Sequence, residues 1–272
     1  MALYRGKKIS LVGLGRMGEF HARVLARLGS LSCVVDKRPD IAAKKGEAYG
    51  VPYYTDVAEM LDKEEPDGVV VAVPTQFHEQ VMFEIMEKRK LPAAVLLEKP
   101  VSNTVESAMR IKNAVNGRIR IIVGHSEVYN PVVSRMISLV TSGTLGKPRT
   151  IIFQRRSPVS ESRLESIGDI FEDLGVHDFN ILTKIVTGDV QVYCSAIKKK
   201  DYYNTASILI TREKDGVIDL NCSLLLSREY AGKMRTIDIE GSNATMQVDL
   251  LAQIIDIRSL EEATGEGTSI KV

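Results

Sequence analysis

Short apolar runs and amphipathic stretches alternate along the first half of the chain. In the amphipathic stretches, apolar residues recur every three or four positions, which is typical of helices with one buried face, while the short runs are typical of buried strands. The predicted strands are 9–12, 31–35, 68–73, 93–97 and 119–123, and the predicted helices are 16–28, 39–49, 57–61, 76–89 and 103–115. This repeated order predicts a parallel sheet with helices on both faces.

The pattern changes after about residue 125, where apolar and polar residues alternate at every second position. The predicted strands are 150–155, 190–197, 207–211, 217–225, 236–240, 245–248 and 254–258, and the predicted helices are 131–142 and 169–186. Such alternation predicts a mostly antiparallel open sheet, which helices cover on one face and a partner subunit can cover on the other. The tail over 261–272 is predicted to be weakly ordered.

Composition and charge exclude several classes of partner. The 272 residues are 44% hydrophobic and 26% charged, with a net charge of +1, which is ordinary for a two-domain globular protein. This balance provides no basic surface for nucleic acid or for a membrane. No apolar run approaches the length of a membrane span, and no signal peptide is recognisable. The three cysteines form no disulfide or metal pattern, which predicts a cytoplasmic protein. Together with the charge balance, this leads us to expect neither nucleic-acid nor membrane partners.

The segment between the first predicted strand and helix reads Gly13-Leu14-Gly15-Arg16-Met17-Gly18. At this spacing the first glycine makes a tight turn, the second lets a pyrophosphate approach the backbone, and the third allows close helix–strand packing. Glycine turns are common, so the motif alone is weak. However, Asp36 ends the second strand, where a carboxylate can accept hydrogen bonds from ribose hydroxyls. Together they predict a dinucleotide site formed by Gly13, Gly15, Arg16, Met17, Gly18 and Asp36.

Asp36 also bears on the choice of dinucleotide. Its carboxylate favours NAD because it repels the 2′-phosphate of NADP. Lys37 and Arg38 follow directly, and they either accommodate that phosphate or form a solvated basic pair. We expect NAD as the cofactor, with NADP as an open alternative.

Two further candidate segments follow predicted strands. Val73-Pro74-Thr75 ends a strand at its carboxyl edge, where ligands bind in open α/β sheets, so Pro74, Thr75 and His78 are candidate cofactor contacts. The alternative is that Pro74 only stops the strand and His78 has no chemical role.

Glu98-Lys99-Pro100 follows the next apolar strand. Partial desolvation and a neighbouring cationic nicotinamide ring both disfavour the ammonium form of a lysine and lower its pKa. Lys99 could then take the hydroxyl proton as hydride leaves carbon. In this interpretation Glu98 orients the loop and contacts the cofactor. The alternative is an ordinary exposed Glu–Lys pair.

Asp169, Asp173 and His177 recur every four residues, so a helix would present all three on one face. An acid and an imidazole there could hold a substrate hydroxyl and the protons around Lys99. One alternative is a surface ion pair on the helix. A metal site is another, but no further cluster of cysteine, histidine or carboxylate completes one, so no metal is expected.

In this order, the motifs resemble the Gfo/Idh/MocA family, the group of glucose–fructose oxidoreductase and inositol dehydrogenase. The resemblance covers nearly the whole chain. It implies an α/β fold with an N-terminal Rossmann dinucleotide-binding domain over 1–124. It also implies a C-terminal α+β domain over 125–272 with a mostly antiparallel open sheet, which binds substrate and forms homodimers or homotetramers.

The same resemblance implies roles for individual residues. Lys99 would be the acid/base lysine, and Asp173 and His177 would be the substrate-side pair, with His177 near the reacting hydroxyl. NAD would be held by Gly13, Gly15, Gly18 and Asp36.

A narrower resemblance concerns the substrate. The segments 124–131, 146–148 and 155–158 look like the branch that contains UDP-N-acetylglucosamine 3-dehydrogenases. Tyr129, Arg155 and Arg156 are therefore candidate substrate contacts, because two arginines can bind a diphosphate, although they could equally mark an exposed strand end. The chain departs from that branch at Val128, where an arginine is expected, at Asn180, where many members carry an acid, and in its shorter C-terminal part.

These observations predict an NAD(P)-dependent dehydrogenase that transfers hydride between a secondary hydroxyl and nicotinamide. The substrate would be a sugar, a polyol or a sugar nucleotide, with C3 of UDP-N-acetylglucosamine as one candidate. Two alternatives remain: an NAD-assisted glycoside hydrolase of the same family, and a non-catalytic NAD-binding regulator on the same scaffold.

Overall fold

The apolar runs of the first half form a six-stranded parallel sheet in the computed structural model, which describes residues 6–260 and 268–272. The strands are β1 (Ile9–Val12), β2 (Leu31–Val35), β3 (Tyr53–Tyr54), β4 (Gly68–Val71), β5 (Ala94–Leu97) and β6 (Arg120–Val123). They lie in the order β3-β2-β1-β4-β5-β6, so the strand order reverses between β1 and β4. Ligands of open parallel sheets bind at the carboxyl ends of the strands beside such a reversal.

Five helices connect these strands. They are α1 (Arg16–Leu28), α2 (Pro39–Tyr49), α3 (Val57–Glu64), α4 (His78–Met86) and α5 (Val105–Val115). The bounds of α1 and α2 are those predicted from the sequence. Helix α4 differs, because residues Thr75–Phe77 form a separate 3-10 turn before it.

The central strand β4 explains why its sequence is apolar throughout. Val69 and Val71 face one side of the sheet and pack in a cluster that includes Met60 of α3. Val70 faces the other side and packs in a cluster with Ala22 of α1. Both faces of the parallel sheet are therefore covered, as the repeated βα pattern predicts.

An eight-stranded, mostly antiparallel sheet forms the second half. Its strands are β7 (Pro148–Arg156), β8 (Gln191–Lys199), β9 (Tyr202–Lys214), β10 (Val217–Ser227), β11 (Met234–Gly241), β12 (Ala244–Asp249), β13 (Ile254–Ser259) and β14 (Thr268–Lys271). They lie in the order β14-β13-β12-β11-β7-β10-β9-β8, and within the described part of this second sheet only the pairing of β7 with β10 is parallel. The predicted fold class is confirmed.

Helices cover one face of this sheet. They are α6 (Pro131–Thr141) and α8 (Val176–Ile185), whose apolar side chains join those of the sheet in one cluster. A short helix, α7 (Leu164–Ile167), lies between β7 and α8 in the chain. Met136 of α6 and Ile181 of α8 are fully buried in a cluster that includes Phe153 of β7. The opposite face carries exposed Tyr193 and Leu209, so the alternating pattern separates a covered face from an open one.

The chain divides into two compact units, the N-terminal unit Met1–Gly124 and the C-terminal unit His125–Val272. Two details of the C-terminal unit differ from the predictions. The helix predicted over 169–186 is interrupted by a π-helical turn at Phe171–Gly175. The tail predicted to be weakly ordered contains β14, while residues 261–267 of that tail lie outside the described residues. No helix in the described part of the chain is long and apolar enough to cross a membrane.

Candidate functional site

In the glycine turn between β1 and α1, packing leaves no room for a side chain at two of the glycines. Gly13 has a φ of +94°, and a Cβ there would lie 2.6 Å from the backbone carbon of Ala72. A Cβ at Gly18 would lie 2.0 Å from the carbonyl oxygen of Gly13. Side chains at these two positions are excluded by the packing of the turn itself.

Gly15 is different because nothing in the fold requires a glycine there. Its φ of −71° and ψ of −163° suit any residue, and a Cβ would meet no heavy atom within 4 Å. The space above Gly15 is therefore open to a molecule that approaches the backbone closely.

The start of α1 offers backbone donors in the same place. Gly15 is the N-cap and supplies no side chain to the helix, whereas Asp56 caps α3 and Thr104 caps α5 through side-chain oxygens. The first N–H groups of a helix without a side-chain cap, together with the helix dipole, favour an anion. Arg16 and Met17 form the exposed first turn of α1 beside this position. The chemistry of the turn thus fits the pyrophosphate of a dinucleotide.

Asp36 lies at the end of β2 and is fixed by several donors. Its carboxylate accepts hydrogen bonds from the backbone N–H of Leu14 at 2.9 Å and from Nε and Nη2 of Arg38, both at 2.9 Å. Burial alone would raise the pKa of Asp36, but the hydrogen bonds from Arg38 and Leu14 hold it below its ordinary value. Asp36 is therefore an anion tied to the glycine turn, with an exposed guanidinium resting on it.

The residues predicted after β4 divide into surface and core. Pro74 is exposed, Thr75 is half-buried, and the ammonium of Lys37 lies 5.1 Å from the ring centre of Phe77. His78 is only 1% exposed, and its ring nitrogens lie 3.0 Å from the carbonyl oxygen of Val73 and 3.2 Å from that of Val101.

His78 is thus a correction to the sequence prediction. Both of its nitrogens are engaged by backbone carbonyls inside the unit, so its ring ties the end of β4 to the loop before α5. It is not placed to contact a cofactor.

Glu98 and Lys99 follow β5, and Glu98 is buried rather than part of an exposed Glu–Lys pair. Its Oε1 lies 2.7 Å from Nε2 of His21, and its Oε2 accepts a 3.2 Å hydrogen bond from the backbone N–H of Lys99. Gly124 closes the other side, since a Cβ there would lie 3.0 Å from the Glu98 carboxyl carbon. Glu98 therefore anchors the backbone from which the half-buried Lys99 side chain projects.

His21 is a residue that the sequence reasoning did not assign. It lies on α1, one turn beyond Gly18, and joins the glycine-turn helix to the segment of Lys99. Its position three residues after the last glycine was the available signal, but spacing alone could not show that its partner would be 77 residues away.

In the C-terminal unit, the three residues predicted on one helical face are divided by the π-helical turn. Asp169 accepts a 2.7 Å hydrogen bond from the backbone N–H of Tyr203. Asp173 lies within the π-helical turn, and its Oδ2 pairs with Nη2 of the buried Arg228 at 3.2 Å. His177 lies in the first turn of α8 and is half-buried. Asp173 and His177 are therefore positioned by a π-helical turn and by the first turn of α8, rather than by one regular α-helix.

Arg155 is the second correction. It was predicted to contact a diphosphate, but only 1% of it is exposed. Its guanidinium pairs with Asp178 at 2.8 Å and with Glu127 at 2.9 Å, so its charge is satisfied within the unit. Arg156, the next residue, is half-buried with its guanidinium carbon 5.2 Å from the ring centre of Tyr230, and Tyr129 is 71% exposed.

The described residues contain no group of three or more His, Cys, Asp or Glu side chains arranged to hold a metal ion. Two thiols are buried, Cys33 in the N-terminal unit and Cys222 in the C-terminal unit. Burial raises the pKa of Cys33 to about 11 and that of Cys222 to about 12, which disfavours the reactive thiolate at neutral pH.

Comparison with known proteins gives a consistent picture. Residues 7–125 match the model of the GFO_IDH_MocA family, described as an oxidoreductase family with an NAD-binding Rossmann fold. A myo-inositol 2-dehydrogenase of Thermotoga maritima is 24% identical over 85% of this chain and 67% of that protein.

Two solved structures share the fold over most of their length. A UDP-N-acetylglucosamine 3-dehydrogenase from Acidithiobacillus ferrooxidans superposes with a TM-score of 0.83 at 21% identity, over 98% of this chain and 83% of that one. The WlbA dehydrogenase from Bordetella pertussis, solved with NADH and UDP-GlcNAcA, gives a TM-score of 0.80 at 19% identity, over 90% and 79% of the two chains.

Proposed function

Because the chain belongs to the Gfo/Idh/MocA family of NAD-binding oxidoreductases, we propose that it is a dehydrogenase that oxidises a secondary hydroxyl of a sugar-like substrate with NAD. The observation that carries this proposal is the glycine turn. Gly15 leaves open space directly beside the uncapped N-terminus of α1, and Asp36 stands at the end of the neighbouring strand. This combination suits a pyrophosphate and a ribose, and packing gives no other reason for a glycine at position 15.

Lys99 is the proposed acid/base. When bound, NAD supplies a hydride acceptor, and the remaining requirement is a group that takes the hydroxyl proton. Lys99 is half-buried at the carboxyl edge of the parallel sheet, and its backbone is held by Glu98, which is in turn held by His21. His21 and Glu98 are thus positioning residues for the Lys99 amine.

Asp173 and His177 are the proposed substrate-side residues of the C-terminal unit. Arg228 orients the Asp173 carboxylate through their ion pair and also donates a 2.8 Å hydrogen bond to the carbonyl oxygen of Gly168. In this role the His177 imidazole forms a hydrogen bond with the reacting hydroxyl and shares the proton of that hydroxyl. The geometry of a π-helical turn followed by α8 supports this, because such turns often occur at functional sites.

The cofactor proposed is NAD rather than NADP. Asp36 is held as an anion and would repel a 2′-phosphate. Arg38 partly offsets this repulsion because its guanidinium rests on Asp36, and it can turn toward solvent or toward a phosphate. NADP is therefore proposed as a weaker cofactor.

The substrate proposed is a polyol, a sugar or a sugar nucleotide. The relatives named above include an inositol dehydrogenase and a UDP-N-acetylglucosamine 3-dehydrogenase, whose substrates share adjacent secondary hydroxyls. With Arg155 buried, Arg156 remains the candidate for a substrate phosphate. Tyr129, although exposed, remains a proposed contact.

We also propose that a second copy of the chain covers the open face of the C-terminal sheet, giving a homodimer or homotetramer. Exposed Tyr193 of β8 and Leu209 of β9 are paired there and lie next to half-buried Ile152 and Leu225, and exposed Ile197 lies four residues further along β8. An apolar face of this extent is typical of an interface.

The test is NADH formation by the purified full chain across polyols, free sugars, sugar acids and UDP-sugars, with NADP in parallel. We expect absorbance from NADH with at least one class and a weaker signal with NADP. Tightly held NAD, glycoside cleavage and no net NADH would favour the hydrolase alternative. Tight NAD binding without any turnover would favour a regulator.

A further inference from the structure

Three arginines come from neighbouring strands on the helix-covered face of the C-terminal sheet. Arg155 of β7 and Arg235 of β11 are register partners, so their side chains leave the sheet on the same side. Arg228 directly follows β10, the strand on the other side of β7. Arg228 pairs with Asp173 and Arg155 pairs with Asp178. Two of the three arginines therefore fix the segment that leads into α8.

The two register partners share one carboxylate, that of Glu127. Glu127 lies in the 3-10 turn Ser126–Tyr129 and is 9% exposed. Its Oε1 accepts 2.9 Å hydrogen bonds from Nη1 of Arg155 and from Nη1 of Arg235. Arg155 has a second anion in Asp178, whereas Arg235 pairs with no other carboxylate among the described residues.

The remaining donors of Arg235 form the edge of the guanidinium that suits an oxyanion. Nε and Nη2 of an arginine act as a fork of two donors that can bind a carboxylate or a phosphate group at two points. In this chain Arg38 binds Asp36 through that fork, with both distances at 2.9 Å. Arg155 binds Asp178 through the same two atoms. In Arg235, Nε and Nη2 have no partner within the described part of the chain, and neither atom is buried.

We propose that the Nε–Nη2 fork of Arg235 binds an oxyanion of the substrate, a carboxylate or a phosphate group, so that the protein selects an anionic sugar over a neutral polyol. The inference rests on the proposed function, since it places this oxyanion on the molecule whose hydroxyl Asp173 and His177 would hold.

The guanidinium of Arg235 is held in position before any ligand arrives. Glu127 fixes its Nη1 edge, and Glu127 is itself bound to Arg155, which is only 1% exposed. The Arg235 side chain is 34% exposed, so the opposite edge can meet a ligand from solvent. A side chain that is ordered in advance loses little conformational freedom on binding, which favours affinity.

The position of Arg235 relative to Arg228 fits a substrate with its anionic group away from the reacting hydroxyl. The strand order β11-β7-β10 separates the two arginines by two strand spacings, on the order of 10 Å. Arg228 holds Asp173, one of the proposed substrate-side residues. Side chains that converge from positions this far apart can hold opposite ends of one sugar ring with an anionic substituent.

Arg156, the other arginine considered for a substrate phosphate, lies on the opposite face of the sheet. It follows Arg155 in β7, so the alternation of the strand directs it away from the helices. There it is the register partner of Met234, and its Nη2 donates to Gln154. Variants at Arg235 and Arg156 therefore test two separate places.

The experiment is calorimetric titration of four probes into the full chain. Glucuronate, inorganic phosphate and UDP-N-acetylglucosamine carry an oxyanion, and myo-inositol is the neutral probe. We expect the wild type to bind at least one oxyanion probe more tightly than myo-inositol. Arg235→Gln should weaken that probe by about tenfold or more, because charge-assisted hydrogen bonds are lost. Its affinity for myo-inositol should be unchanged. An effect on glucuronate alone identifies a carboxylate, and an effect on the other two oxyanion probes identifies a phosphate group.

Two further variants separate the fork from charge and from folding. Arg235→Lys keeps a cation beside Glu127 but has no fork, so it should remain folded and still lose most of the oxyanion affinity. Arg258→Gln, which changes an exposed arginine of β13, should leave every affinity unchanged. Urea unfolding of each variant shows that the titrated chain is folded.

The outcomes decide the proposal in either direction. A wild type that binds no oxyanion probe more tightly than myo-inositol would overturn it, and so would undiminished oxyanion affinity in either Arg235 variant. Loss of that affinity in Arg156→Gln alone would also overturn it.

The titrations require neither NAD nor turnover, so the two proposals can fail separately. Oxyanion affinity that depends on Arg235, without NADH formation from any substrate, would overturn the proposed function and support this inference. NADH formation from neutral polyols, without oxyanion affinity, would do the reverse.

Discussion

The two units form their candidate sites in different ways. In the N-terminal unit, the site is a space left open by backbone geometry: Gly13 and Gly18 allow the turn, and Gly15 keeps the approach clear. In the C-terminal unit, it is a set of side chains held by buried charges, among them Arg155 and Arg228. The glycine turn is built from residues that are neighbours in sequence. The side chains of the C-terminal unit come from four or more segments that are far apart in sequence. Variants in the two units should therefore fail in different ways, through ligand binding and chemistry in one and through stability in the other.

The largest effect is expected at Lys99. Lys99→Met removes the amine and keeps an unbranched side chain that is one atom shorter, so we expect turnover to fall by about 10²–10⁴-fold, the usual contribution of a general acid/base. NAD affinity should remain, because the glycine turn is untouched. Lys90→Met is the matched control, since Lys90 is an exposed lysine of the same unit. Near-normal turnover of Lys99→Met in the NADH assay would remove Lys99 from the mechanism.

The next effect should appear in the C-terminal unit as a loss of stability. Arg155→Met leaves Asp178 and Glu127 buried without their shared cation, and breaking a buried pair in this way costs about 3–5 kcal/mol of unfolding free energy. Denaturant unfolding measures this loss. The exposed Arg258→Met is the control, with a change of at most about 0.5 kcal/mol.

The buried thiols show where that loss occurs. Cys222 reports opening of the C-terminal unit and Cys33 opening of the N-terminal unit, because each reacts with a thiol reagent only after its surroundings open. Arg155→Met should accelerate labelling of Cys222 and leave that of Cys33 unchanged. Equal acceleration of Cys33 and Cys222 labelling would show that the loss of stability is not confined to the C-terminal unit, which would contradict the stated difference between the units.

A smaller effect is expected at Asp36. Asp36→Ala removes the proposed ribose acceptor, so NAD affinity should fall about tenfold, equivalent to about 1.4 kcal/mol. It should also release Arg38, which now pairs with Asp36, toward a 2′-phosphate. NADP affinity should therefore rise relative to NAD. Arg38→Ala, the matched variant, should weaken NADP alone. An unchanged NAD/NADP preference in Asp36→Ala would contradict the role given to this carboxylate.

The pH dependence of Asp36 follows from its lowered pKa. A carboxyl whose pKa is depressed by folding contributes its full stability above its unfolded value, near 4, and loses that contribution as the pH falls through the lower folded value. Binding of NAD should therefore be independent of Asp36 titration throughout the neutral range. Calorimetric titrations at several pH values measure this.

The difference between the two units also explains which features could be predicted from the sequence. The parallel sheet, α1, α2 and the glycine turn follow from local periodicity and spacing, and the fold class was predicted correctly for both units. His78 and Arg155 could not be interpreted correctly, because a histidine or arginine near a motif looks the same whether its partners are a ligand or the protein. Their burial depends on contacts with Val101 and Asp178, which only the folded chain brings together.

The helix predicted over 169–186 assumed regular α-helical geometry throughout. The π-helical turn at Phe171–Gly175 interrupts it and has no clear periodic signal in the sequence. The pairing of His21 with Glu98 was likewise invisible, although both belong to segments that the motifs had already identified.

The most direct test of the account is calorimetric titration of NAD into the wild-type chain, Gly15→Ala and Gly18→Ala, with unfolding measured on the same samples. A methyl at Gly15 meets only open space in the fold, so we expect Gly15→Ala to remain folded with stability within about 1 kcal/mol of wild type and to lose NAD affinity by at least about tenfold. Gly18→Ala should be destabilised itself. Gly15→Ala that binds NAD as tightly as the wild type would contradict the proposed dinucleotide site.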